Sequence, residues 1–505
     1  MDDYTPQTIC LLAVLFITLL LLSRRKWLQS PALRTPPSPP ALPIIGHLHL
    51  LTDPPHHSLA DLALKLGPII QLRLGQVATV VVSSARLADL VLKTHDHIFA
   101  NRPPLTAAQH LSFGCTDVTF SHGPYWRQAR KICVTELFSP KRVTSFQLIR
   151  NEETHHLITS LSALSGSETD LSQLFFTLAN NVLCRVAFGK RFMDDSEGEK
   201  KHIVDVLTET QALFGGFCIG DFFPDWKWLN TITGFNRRLR KNLEDLIAVY
   251  NEIIEEHVNE EKEREDFVGV LLRVQKRKDL EVAITDDNMK AIVLDMFVAG
   301  TDSTASALEW TMAELARKPH MMRKAQQEVR NIASGEGKVE ESHLPQLHYM
   351  KAAIKETMRL HPPVPLLVPR QSMENCILDG YEIPAKTRLL VNAYAIGRDP
   401  QSWENPLDFN PERFVDGDVD VRGQDTRFIP FGGGRRGCPG YSFGLATVEI
   451  ALARLLYHFD WELPHGVEAD DIDLSEIFGL TTRKKSALIL VPRYNRDHEI
   501  KENDM

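Results

Sequence analysis

The stretch Phe431-Gly432-Gly433-Gly434-Arg435-Arg436-Gly437-Cys438-Pro439-Gly440 decides how this chain is read. It places a cysteine in a glycine-rich loop. A helical pattern follows, with Leu445, Val448, Leu452, Leu455, Leu456 and Phe459 at i, i+3, i+4 spacing. A thiolate needs positive partial charge nearby. The loop can aim backbone N–H groups at the sulfur, and the helix N-terminus adds its dipole. Glycines also let the backbone approach a flat cofactor closely. Arg436 stands where it can meet an anionic group of such a cofactor. Two other readings compete. One is a buried structural cysteine in a tight turn. The other is a dinucleotide fingerprint, since Gly432-x-Gly434-x-x-Gly437 fits that pattern and Asp460 lies at about the right distance to hold a ribose. Pro430 argues against the fingerprint, because it interrupts the strand that should precede the loop. Cys438-Pro439 sits where the helix should already run, and the rest of the chain does not alternate strand and helix.

Upstream, residues 291–314 read as a long apolar helix that carries a polar cluster, Thr301-Asp302-Ser303-Thr304, just after Ala299-Gly300. The small residues leave room for a ligand beside the backbone, and the hydroxyls can bond back to carbonyls and bend the helix. Glu356 and Arg359 lie three apart and share one helix face. Read alone, such a pair is a surface ion pair of little energetic worth. Pro411-Glu412-Arg413-Phe414 supplies a further arginine. Gly123-Pro124 opens a helix on which Trp126 and Arg130 are four apart. Arg127 and Lys131 form a second pair turned away from the first.

The chain has 505 residues, 43% hydrophobic and 24% charged, with a formal charge of -9. That suits a large core, and nothing in it resembles a nucleic-acid-binding surface. Seven cysteines, odd in number and widely spaced, argue against a disulfide framework and for a reducing compartment. Residues 9–22 are apolar but for Thr18; Arg24-Arg25-Lys26-Trp27 follow, and Asp2-Asp3 precede. We expect residues 4–23 to be an uncleaved transmembrane anchor rather than a signal peptide, with the body on the cytosolic side. Residues 24–46 are a basic, proline-rich hinge, with five prolines between Pro36 and Pro43. Ile44-Ile45-Gly46 suggests that the hinge docks on the body. A catalytic domain spans 47–494, and 495–505 form a polar tail. Residues 70–82 read as a hairpin; most of the remainder has helical spacing.

Phe431, Gly434, Arg436, Cys438 and Gly440 match the haem-binding loop of the cytochrome P-450 family at every defining position. The other motifs occur in the family's order, and the chain resembles the plant microsomal A-type group from the anchor to about Pro492. The resemblance implies a mainly α fold with a minor β region, haem lying between the long oxygen-groove helix and the cysteine-loop helix. It makes Cys438 the axial ligand of haem b. Trp126, Arg130, Arg370 and Arg436 become propionate contacts, with Phe431, Gly434 and Gly440 shaping the loop. Glu356, Arg359 and Arg413 become a buried ion cluster. Asp302 connects to solvent protons, and the next hydroxyl guides the protonation of dioxygen. Most members carry Thr there; here it is Ser303, followed by Thr304, which leaves open which hydroxyl acts. The resemblance also implies electrons from NADPH through a separate reductase, O2 as co-substrate and an endoplasmic reticulum location. Arg127, Lys131, Lys141 and Arg142 are candidates to dock the reductase. By analogy, 102–118, 214–222, 292–303, 364–368 and 478–482 contact a lipophilic substrate of the terpenoid, alkaloid or phenolic kind. An isomerase or dehydratase working without O2, and a non-catalytic haem protein, are the alternatives.

Overall fold

The computed structural model describes residues 34–193, 199–259, 264–334, 337–415, 417 and 419–495. The expected anchor at 4–23, and the tail beyond Asn495, lie outside the described residues. Helix α1 (Pro55–Leu66) leads into a hairpin of β1 (Ile69–Leu74) and β2 (Val77–Val82), with Leu74 opposite Val77. The run Thr79-Val80-Val81-Val82 is stiff at χ1 and packs well on a pleated surface. Strand β2 continues the sheet by pairing in parallel with β4 (Arg388–Val391), which pairs antiparallel with β3 (Arg370–Gln371). Ile70, Leu72, Leu74 and Val81 form a small core with Leu59 of α1. The hinge docks on this sheet. The Gln71 N–H donates to Pro37 O at 2.9 Å, and Gly46 bridges to Leu74.

The rest of the described residues are mostly helical, with three small sheets of two or three strands besides, and the main core is one continuous cluster. Helix α2 (Gly123–Ile132), α3 (Leu171–Phe188), α4 (Asp286–Arg317), α5 (His348–Leu360) and α6 (Tyr441–His458) position the site. Helix α4 packs mainly against α3 and α6. Its start is set by a capping box: the Asn288 N–H donates to Thr285 Oγ1 at 3.2 Å, and the Thr285 N–H donates to Asn288 Oδ1 at 3.0 Å. Lys318-Pro319 ends it, since proline cannot continue a helix whose N–H groups are in use. Although α3 and α4 are apolar and long enough to cross a membrane, both are largely buried inside the protein. The architecture is mainly α with a minor β region, as the resemblance implies.

Glu356, Arg359 and Arg413 sit in the core rather than at a helix surface. Arg359 grips the Glu356 carboxylate through Nε at 2.7 Å and Nη2 at 2.8 Å, and Arg413 Nε reaches it at 3.2 Å. The Asn410 N–H adds a bond of 2.8 Å. Arg359 also donates to the carbonyls of Gly397, Pro406 and Asp408. Both charges of the Glu356–Arg359 pair are therefore buried and hydrogen-bonded, which is what a buried pair needs to offset its desolvation.

Candidate active site

The cysteine loop closes on itself before α6 begins. The Cys438 N–H donates to Phe431 O at 2.9 Å, and the Gly437 N–H to Gly434 O at 3.1 Å. Gly434 adopts φ +64°, and a Cβ there would lie 2.0 Å from the Leu92 carbonyl oxygen. Only glycine fits that close approach. Asp96, at 339 residues' separation, holds the loop from outside: its Oδ2 accepts the Arg435 N–H at 2.7 Å. Arg370 bridges from β3, donating to Asp96 Oδ1 at 2.7 Å and to Gly433 O at 2.9 Å.

A cavity of about 250 Å³ opens between this loop and α4. Cys438, Phe431, Gly432 and Gly440 line one side, and Ala299, Gly300, Ser303 and Thr304 line the other. Cys438 keeps accessible surface, yet protein surrounds it closely enough that burial pushes its thiol up; the Gly440 N–H and Arg130 pull the other way. The surface it shows is therefore that of an internal cavity. A larger cleft, about 720 Å³, lies away from Cys438 and is lined by charged groups such as Glu314, Arg317, Arg398 and Arg413. That lining does not suit an apolar substrate.

Four arginines, Arg102, Arg130, Arg370 and Arg436, line the cavity. Burial, then the nearby Arg370, pushes Arg436 down to about 9 despite the pull of Asp117. Burial does the same to Arg102, with Arg436 and Arg370 adding to the effect. Arg436 donates to the carbonyls of Ala100, Val118, Thr119 and Ser121, and its guanidinium lies 4.0 Å from the centre of the Trp126 ring. Arg130 donates to Gly437 O. Trp126 is buried, and its indole N–H has no partner among the described residues. A buried unpaired donor beside crowded cations calls for anionic acceptors. Such a wall fits the two carboxylates of haem, and the cysteine loop fits its iron.

On α4, Ser303 lies partly open to the cavity while its hydroxyl donates to Ala299 O at 2.7 Å. Its lone pairs stay free to accept. Thr304 also lines the cavity but is buried, and the Cβ of a residue at Gly444 would approach its hydroxyl at 3.9 Å. Asp302 points elsewhere. It is buried, and its Oδ1 lies 4.0 Å from Nη1 of the half-exposed Arg483. Burial pushes its carboxyl up against the pull of Arg483.

The Cytochrome P450 family model matches residues 36–491. The chain belongs to this family. Accordingly it is a cytochrome P450 monooxygenase whose cofactor is a haem-thiolate iron. It is 51% identical to tryptamine 5-hydroxylase of Oryza sativa subsp. japonica, over 96% of this chain and 95% of that protein. It is 50% identical to cytochrome P450 71A1 of Persea americana, over 89% and 91%. Among solved structures, a zebrafish cytochrome P450 with progesterone matches at TM-score 0.76 and 27% identity, covering 87% of this chain and 99% of that one.

Of the residues expected from sequence, the cavity brings together Cys438, Phe431, Gly440, Arg130, Arg370, Arg436, Ser303 and Thr304. Trp126 stacks behind Arg436, while Asp302, Glu356, Arg359 and Arg413 lie off the cavity. Arg102 and an acid pair, Asp117 and Asp295, fall within the ranges 102–118 and 292–303 expected to contact substrate, whereas Asp96 lies outside every such range. Asp295 accepts the N–H groups of Val118 and Thr119 at 2.7 and 2.9 Å, and Asp117 accepts those of Phe120 and Ser121 at 2.7 and 3.2 Å. Burial pushes both carboxyls up, and each P450 side chain here braces the loop that faces the cavity.

Proposed function

We propose that this P450 is an endoplasmic reticulum enzyme, anchored by residues 4–23 with its body in the cytosol, that hydroxylates a lipophilic small molecule of plant specialised metabolism. Its electrons come from NADPH through a separate reductase. The observation that carries this reading is the facing of Cys438 and Ser303 across one cavity, with apolar residues such as Val118, Val364, Leu367 and Val368 completing the wall. Relatives named as a tryptamine hydroxylase and as costunolide synthases support the substrate class.

Haem, when bound, supplies the iron at which dioxygen is reduced and cleaved, with the thiolate pushing electron density. This chain's residues do the rest. Arg130, and Trp126 through its spare N–H, would hold the propionates, and Arg436 would add positive charge between Trp126 and the cavity. Arg370 serves by fixing the loop through Asp96 and Gly433, leaving its other N–H groups to the cavity. Gly300 and Ala299 leave space beside the helix for O2. Asp302, its carboxyl raised by burial, lies next to Arg483, whose exposure connects it to solvent protons. Ser303 passes a proton inward while its back-bond to Ala299 fixes its rotamer. On the opposite face, Arg127, Lys131 and Lys141 are exposed and would meet an acidic reductase; Arg142 is already paired with Glu265. Reversing the charges at Arg127 and Lys131 should raise the apparent KM for reductase, more so at low salt.

The test is turnover of a lipophilic plant-metabolite panel by the full-length enzyme with reductase and NADPH under 18O2. We expect one labelled oxygen per product molecule and substrate-stimulated NADPH consumption. Product without label would overturn oxygen insertion in favour of an isomerase or dehydratase.

A further inference from the structure

Away from the cavity, three side chains from two distant parts of the chain converge. His56 and His57 are the second and third residues of α1, and Glu476 opens the segment that ends at Thr482. Neighbours on a helix diverge by about 100°. Here both imidazoles nonetheless turn onto one carboxylate oxygen. His56 Nε2 lies 2.7 Å from Glu476 Oε2, and His57 Nε2 lies 3.2 Å from the same atom. All three ligand atoms fall within 4.8 Å of one another. Only the first contact has hydrogen-bond alignment; His57 Nε2 is buried with no hydrogen-bond partner among the described residues. A hydrogen-bonding account therefore leaves one inward-facing nitrogen unexplained.

Nothing in the oxygenase chemistry uses these residues. We propose that His56, His57 and Glu476 form a structural zinc site. Tetrahedral zinc with bonds of about 2.0–2.2 Å places its ligand atoms roughly 3.3 Å apart. The observed 2.7 and 3.2 Å are both shorter than this, so an ion enters once the His56–Glu476 contact opens by about 0.6 Å and the His57–Glu476 contact by about 0.1 Å. The side chain of His57 is 40% exposed although its Nε2 is buried, so a swing of this ring opens the entry path and admits a water for the fourth position. The other two are held from behind. His56 is buried against Tyr394, its ring centroid 4.8 Å away, and the Asn392 amide donates to its carbonyl at 3.0 Å. His361 Nδ1 stands 3.5 Å from Glu476 Oε1, while its Nε2 meets Glu314 Oε1 at 2.8 Å. Glu314 offsets part of the positive charge of Arg317 and Arg398 close by, Glu476 being spent on the ion. Binding would clamp α1 to the segment whose far end donates from the Thr482 N–H to Pro363 O and accepts from Ser306 of α4.

The test uses the full-length, haem-loaded enzyme without a polyhistidine tag, stripped with EDTA and titrated with zinc chloride against a chromogenic zinc chelator. We expect one tight zinc per haem. His57→Ala should weaken it at least as much as losing an outer-shell partner does, about 10–100-fold. His57→Cys, which restores a ligand, should recover it, and zinc should raise the thermal midpoint of wild type but not of His57→Ala. Unchanged haem content and carbon monoxide spectrum in both variants would establish that they fold. Wild type that retains no zinc at micromolar concentration, or His57→Ala that retains it equally, would overturn the site.

Discussion

Two groups of buried charge in this protein use the same side chains to opposite ends. Around Glu356, one carboxylate meets Arg359 and Arg413, and Arg359's remaining N–H groups find carbonyls. Around the Cys438 cavity, four arginines gather with one direct carboxylate partner, Asp96 on Arg370, and an indole N–H is left over. The first group is closed and can only hold the fold. The second keeps uncompensated positive charge and one unpaired indole N–H, and both are costly when buried until an anionic ligand arrives. The balance of charge, more than burial or residue type, separates scaffold from binding site here.

The contrast can be broken most forcefully at Glu356. Glu356→Gln should strand buried arginine charge and cost about 3–5 kcal/mol, read by calorimetry of the haem-loaded enzyme. A loss under 1 kcal/mol would mean the cluster is not the closed unit described. The complementary change is Trp126→Phe, which removes a donor that no protein group uses. The thermal midpoint of the apoprotein should stay put, while haem transfer to a scavenging globin should quicken about 10–100-fold, the worth of roughly 1.5–3 kcal/mol for a hydrogen bond to a charged group. Transfer at the wild-type rate would remove Trp126 from the propionate wall.

Across the cavity, Ser303→Ala should raise peroxide release roughly fivefold, the worth of about 1 kcal/mol, and more than Thr304→Ala does. The reverse order would move the proton relay to Thr304. The smallest effect lies at a third, titrating pair. Burial lowers His257, but its bonds to Asp266 at 2.9 and 3.0 Å outweigh this, and the net shift is upward from 6.5. A raised histidine contributes stability that is complete below its unfolded value and lost as pH rises through the folded one. Wild-type stability should therefore fall faster than that of His257→Gln as pH rises above about 6.5. Parallel pH profiles would show the pair to be neutral.

What the sequence revealed follows from which contacts are local. The thiolate loop is legible because its glycines, cysteine and helix start must be contiguous to build one cradle. The hydroxyl cluster on α4 and the Trp126–Arg130 pair are legible because a helix turn brings i and i+4 together. Asp96 is not, since its carboxylate reaches the loop from a separate helix with no shared period. Asp295 sits in the same helix as Ser303 but spends its oxygen on two backbone N–H groups of a loop, a pairing no residue pattern announces. Glu356–Arg359 looks like a surface pair until Pro406 and Asp408 fold over it. His56 and His57 are visible as neighbours, yet only the fold brings Glu476, some 420 positions on, against them.

The contact between Gly434 and the Leu92 carbonyl has a practical reading for anyone altering this enzyme's selectivity. The iron-side wall is pinned by a close backbone approach at Gly434 and by the side chains of Asp96 and Arg370, so all three positions must stay as they are. A combinatorial library can therefore be confined to the opposite wall, at Val118, Met296, Val364 and Val368, without retuning the thiolate. Positions 96, 370 and 434 are the ones at which such a library should admit no letter but their own.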